Sequence, residues 1–157
     1  MVELTQAFLD VLTGADIHAR AAKGTERSPR LAASAVAVSV AELTQSPGGF
    51  SSYLGVQDGQ EFYGQRVQAK MRLDVLSPVQ EGAGECRRAL DEVCAVLAQG
   101  VPGVSITGIV SHAPEYDRVG DCFSAVVEVE CRCWLCASGS AEASGALEHF
   151  ILKGVLT

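Results

Sequence analysis

Arg66-Val67-Gln68-Ala69-Lys70-Met71-Arg72-Leu73-Asp74-Val75 alternates apolar and polar residues without a break. A strand sends successive side chains to opposite faces, so a period of two means one buried face and one wet face. Val67, Ala69, Met71, Leu73 and Val75 belong to the core, and Arg66, Gln68, Lys70, Arg72 and Asp74 to solvent or a partner. At Ser77-Pro78 the period changes. Cys86, Leu90, Val93, Cys94 and Leu97 recur at helical spacing, with Glu85, Arg87, Arg88, Asp91 and Glu92 on the opposite side. Ser77-Pro78-Val79-Gln80 reads as a capping box, although Gly82 and Gly84 delay a regular helix to about Glu85. Gly100 and Pro102 stop it.

The flanks extend this strand–helix unit. Upstream, Leu4, Phe8, Leu9 and Leu12 stripe a short helix ended by Gly14, and Val36, Val38 and Val40 alternate in a strand over about 35–43. Between them, Arg20, Lys23, Arg27 and Arg30 suit either a phosphate patch or, the favoured reading, a solvated loop. Downstream, Val104, Ile106, Gly108 and Val110 alternate. Beyond the Asp117–Gly120 turn, a long strand over 122–136 pairs back onto them as a hairpin. Phe123, Ala125, Val127, Val129, Cys131, Cys133 and Leu135 share one face of that strand; Glu128, Glu130, Arg132 and Trp134 share the other. Residues 137–145, small and polar, read as a flexible link to a terminal strand at Phe150-Ile151-Leu152, which packs on its own sheet or a neighbour's.

These elements predict a single α+β domain over residues 1–157: a mostly antiparallel sheet of about four to five strands with two main helices on one face. Such a length buries a core without disulfide staples, and 48% hydrophobic residues rule out a disordered chain. No apolar run reaches the roughly 20 residues that span a bilayer. The N-terminus, with Glu3 and Asp10, lacks the basic flank of a signal peptide, so a reducing cytoplasm is expected. A formal charge of −7 argues against binding nucleic acid through its phosphates.

Residues 44–64 are the exception to the regular patterning. Phe50, Tyr53, Phe62 and Tyr63 lie among Gly48, Gly49, Gly55, Gly59 and Gly64. They form either a β-hairpin whose aromatics cap one end of the core, or a contact loop whose aromatics are buried by a partner.

The chemistry-bearing residues do not assemble into a signature. Cys131, Cys133 and Cys136 form C-x-C-x-x-C, but Cys136 faces away from the other two if the strand continues, and no second pair accompanies them. With Cys86 and Cys94 on the helix's apolar face, reduced core thiols are favoured over a metal site or disulfides. His18, His112 and His149 are the three histidines, and His112 lies near Glu115 and Asp117 at a strand end. Glu128 and Glu130 share a face and suit a general acid–base pair less well than a solvated or subunit-facing surface. No Gly-x-Ser-x-Gly elbow or Gly-rich phosphate loop occurs.

Taken in order, the leading amphipathic helix, Phe62-Tyr63-Gly64 entering the alternating strand, the cysteine-bearing helix after Ser77-Pro78 and the Tyr116-Asp117 turn resemble the tail terminator family of tailed phages and phage-derived contractile particles. The long aromatic loop and the tail after Gly145 depart from that pattern. The resemblance implies a subunit that assembles with itself into a ring, typically of six. That ring would stop the tail tube, contact the tube and sheath proteins, and join the neck or head connector. Neither catalysis nor a cofactor is implied, and no membrane or specific nucleic acid partner. The protein would be cytoplasmic during assembly and then part of the particle. The candidate interface combines Phe50, Tyr53, Phe62 and Tyr63 with Arg66, Lys70 and Arg72 on the wet face of the strand. Another neck or baseplate component, or a metal- or thiol-dependent enzyme built on the cysteines, are the alternatives.

Overall fold

The computed structural model describes residues 2–22, 31–45, 52–139 and 150–153. Helix α1 (Val2–Gly14) leads into strands β1 (Ala19–Ala21), β2 (Ala35–Gln45), β3 (Ser52–Gln57) and β4 (Gln60–Pro78). A 3-10 turn (Val79–Glu81) then opens helix α2 (Gly82–Ala98), followed by β5 (Val104–Ser111), β6 (Glu115–Asp117), β7 (Cys122–Gly139) and β8 (Phe150–Lys153). The fold is α+β, as expected, but the sheet has eight strands among the described residues rather than four to five. The additional strands are short ones at the margins, β1, β3 and β6, whose three to six residues are too few to show a period.

The spine of the sheet is β4 against β7, antiparallel and unbroken from Glu61 opposite Gly139 to Pro78 opposite Cys122. On the free side of β4, β3 pairs with one half and β2 with the other; on the free side of β7 come β6, β5 and β8 in turn. Every pairing is antiparallel except β1 with β2. The terminal strand β8 thus lies on its own sheet, at Trp134–Ala137 of β7.

Alternation chooses the core. Val67, Ala69, Met71, Leu73 and Val75 of β4 and Ala125, Val127, Val129, Cys131, Cys133 and Leu135 of β7 are all buried. They join Leu4, Phe8 and Leu12 of α1 and Cys86, Leu90, Val93 and Leu97 of α2 in one cluster. Both helices therefore cover the same face of the sheet. The other face is left without a second layer among the described residues.

Three local expectations are corrected. Ser77 is not a helix cap: β4 runs through it, and its buried hydroxyl shares a 2.6 Å hydrogen bond with Ser34 Oγ. Helix α2 starts at Gly82, not near Glu85. Of the two readings of the aromatic segment, residues 52–57 and 60–64 take the hairpin, two strands joined by Asp58-Gly59 at φ 53° and 78°. Two left-handed residues in a two-residue connection match the right-handed twist of a hairpin, and Asp-Gly is well suited to that turn. Part of the basic segment is strand as well, since Arg20 lies in β1. Residues 23–30, and with them Lys23, Arg27 and Arg30, lie outside the described residues.

Candidate interaction surface

The uncovered face is assembled from the polar positions of four strands. From β4 come Arg66, Gln68, Lys70, Arg72 and Asp74, and from β7 Glu128, Glu130, Arg132 and Trp134. Glu42 and Thr44 join from β2, opposite Lys70 and Gln68, and Ser105 and Val110 from β5, opposite Arg132 and Glu128. Cross-strand neighbours decide how these charges are used. Lys70 Nζ lies 3.6 Å from Glu128 Oε2, and His112 Nε2 reaches the same oxygen at 3.7 Å. Arg72 forks onto Asp74, donating from Nε and Nη2 at 3.1 and 3.0 Å, and this hydrogen bond holds its guanidinium still more firmly protonated. Arg66 instead sits over the Trp134 ring, with Cζ 5.2 Å from the centroid. A cation held over an aromatic face is attracted by the ring quadrupole.

The structure thus lines up Arg66, Lys70 and Arg72, three of the expected interface residues, on one face. It divides the aromatic ones. Tyr53 and Tyr63 are opposite each other in the β3–β4 hairpin, with ring centroids 5.6 Å apart and edge-on. Tyr63 donates its hydroxyl hydrogen to Glu61 Oε2 at 3.0 Å, which raises the tyrosine's pKa. Phe62, only 6% exposed, is already buried within the chain. Phe50 lies outside the described residues. In its place β3 presents Leu54 and Val56, exposed together with Tyr53. Leu54 crosses Gly64 so closely that a Cβ there would stand 2.5 Å from Leu54 Cδ1 and 3.0 Å from Trp134 Cε3. Glycine at 64 is what leaves room for the Leu54 side chain across β4, next to Trp134.

Sequence reasoning placed Arg132 and Trp134 on the wet face but did not single them out. With Arg66 and Ser105 they line a cleft of about 470 Å³ beside the start of β5. The missing information was register, which sets Trp134 opposite Arg66 and Arg132 opposite Gln68.

Five of the six cysteines are buried and the sixth, Cys94, is half-buried. Cys131 and Cys133 point into the helix-covered face; Cys136, of opposite parity, lies across from Gly64 on the other face. Cys131 Sγ donates to the Ala69 carbonyl at 3.5 Å and Cys86 Sγ to that of Val75 at 3.8 Å. Burial pushes the Cys131 thiol up to about 12, helped by its neighbour Cys133, and raises Cys86, Cys122 and Cys133 as well. A thiol so disfavoured as a thiolate is a poor nucleophile. Among the described residues, no three His, Cys, Asp or Glu side chains converge as metal ligands would. His112 finds its acid in Glu128, not Glu115 or Asp117; Asp117 instead accepts from the Val119 amide at 2.9 Å. His149 lies outside the described residues. No helix among them is long and apolar enough to cross a membrane. No protein-family model and no curated protein matches this chain.

Proposed function

We propose that this chain is a structural subunit of a phage or phage-like tail, forming a ring that closes the tail tube and joins it to the neck or head. The observation that carries the reading is strand β3. It has a neighbour on one side only among the described residues, and it exposes Tyr53, Leu54 and Val56. A strand edge offers unpaired backbone groups to another chain, and wet aromatic and aliphatic side chains gain burial when that chain arrives. The open charged face behind the hairpin is continuous with it and supplies a polar surround to the contact. Ring closure needs two different surfaces on each subunit, and the hairpin at one end of β4 and the helices on the opposite face are separate enough to serve.

The test is a Tyr53→Ser, Val56→Ser double substitution in a chain assembled into particles. Both side chains are exposed, so the fold should survive. Electron micrographs should then show tails of uncontrolled length or tails without heads. Normal tail length and normal head attachment, with the folded variant present in the particles, would refute this surface as the capping one. A neck or baseplate component would use the same hairpin. Labelling of the chain at the distal end of the tail, rather than the head-proximal end of the tube, would favour the baseplate alternative.

A further inference from the structure

We propose that the notch formed by Arg66, Arg132 and Trp134 receives the carboxylate of an acidic, extended segment of a partner protein. This does not depend on the particle in which the chain works. Four other cations on the described surface are matched internally, Lys70 with Glu128, Arg72 with Asp74, Arg87 with Asp91, and Arg88 with both Glu85 and Glu92, while Arg118, in the turn before β7, has no ion pair among the described residues. Arg66 and Arg132 have no ion pair among the described residues, and they are diagonal neighbours on adjacent strands. In a chain with net charge −7, a carboxylate between them would be easy to supply, yet among the described residues the cleft they line carries none. Guanidiniums at diagonal positions of adjacent strands repel each other until an anion bridges them, and the planar fork of arginine suits a carboxylate.

The shape and charge around the notch select the source of that anion. Trp134 floors it beneath Arg66, and Ser105 stands opposite Arg132 on β5. The adjoining groove, which Arg132 also borders, holds Glu42 and Glu130 together with Lys70, itself paired with Glu128. A nucleic acid backbone or other polyphosphate laid across this face would run from two arginines onto carboxylates, whereas one acidic side chain meets only the arginines. Strand β5 ends the main strand order of the sheet, so beyond the Val101–Val104 bridge at its start its outer edge has no strand beside it among the described residues. A segment added along that edge sends alternate side chains to the uncovered face, where one glutamate or aspartate would enter beside Ser105.

Trp134 is the chain's single tryptophan, so its emission reports the notch directly. The full chain is titrated with a short blocked β-forming peptide bearing one central glutamate, with the same peptide bearing glutamine, and with inorganic phosphate. The glutamate peptide should give a saturable change in Trp134 emission that weakens with added salt. Binding should fall at least about tenfold for the glutamine peptide and for the glutamate peptide on Arg132→Gln, a gap of about 1.4 kcal/mol. Arg132 is exposed, and circular dichroism identical to the parent confirms that the variant is folded. No saturable change up to millimolar glutamate peptide, equal binding of the two peptides, or undiminished binding to folded Arg132→Gln each overturns the proposal. Phosphate binding as tight as the glutamate peptide overturns it too, by making the notch a general anion site.

Discussion

Alkylation of the folded chain at pH 8 gives the sharpest separation between a structural subunit and an enzyme that works through a thiol. An unperturbed cysteine, with a pKa of about 8.5, is roughly one-quarter thiolate at that pH. Cys131, pushed up to about 12 by burial, would be thiolate in about one molecule in ten thousand. Ionisation alone therefore slows its reaction with iodoacetamide on the order of a thousandfold. Access slows it further, because the side chain is 2% exposed and its thiol is engaged by the Ala69 carbonyl. Labelling of Cys131 should then wait for opening of the fold and follow the urea dependence of unfolding. Mass spectrometry of each cysteine, with and without denaturant, reads this out. Half-buried Cys94 should be modified before Cys131 and Cys133. Modification of Cys131 in the native chain at the rate of a free thiol would refute the core assignment and revive the thiol enzyme. The same shifts set a pH dependence. Burial raises Cys86, Cys94, Cys122, Cys131 and Cys133 in the folded state, so the native chain holds these protons more tightly than the unfolded one. Their contribution is complete below the unfolded thiol value of about 8.5 and is lost as pH rises from there toward about 12. The urea midpoint should fall across that alkaline window.

Leu90→Ala removes a side chain 1% exposed in the central cluster and should cost about 2–5 kcal/mol by urea unfolding. Arg87→Ala, breaking an exposed 3.3 Å pair with Asp91, should cost no more than about 0.5 kcal/mol; equal losses would mean that the face of α2 is misassigned. Gly64→Val should drive Leu54 off the sheet and shift Trp134 emission, whereas an unchanged spectrum would contradict the close packing of the hairpin on β7. Glu61→Gln should lower the titration midpoint of one of the three tyrosines by removing the carboxylate that Tyr63 bonds, as followed by ultraviolet absorbance.

The faces of the long elements were legible from sequence. The period of two over Arg66–Val75 and Cys122–Cys136, and the helical period from Cys86 to Leu97, placed core and wet residues where the structure has them. They also put Cys136 on the opposite face from Cys131 and Cys133. The Asp58-Gly59 turn was available as a hairpin signal, but the surrounding glycines and aromatics left hairpin and contact loop as even readings. Other features had no local trace. Ser77 has the chemistry of a cap, yet its hydroxyl is taken by Ser34, 43 residues away. Strand β1 exists only because β2 offers an edge, and Phe62, which has the parity of the wet face of β4, is nonetheless buried. The Arg66–Trp134–Arg132 notch depends on which residue of β7 stands opposite which residue of β4. Periodicity is a property of one strand and survives in the sequence. Register is set jointly by two strands, their bulges and the length of chain between them, so the face of each charge was local information and its neighbours were decided by the tertiary fold.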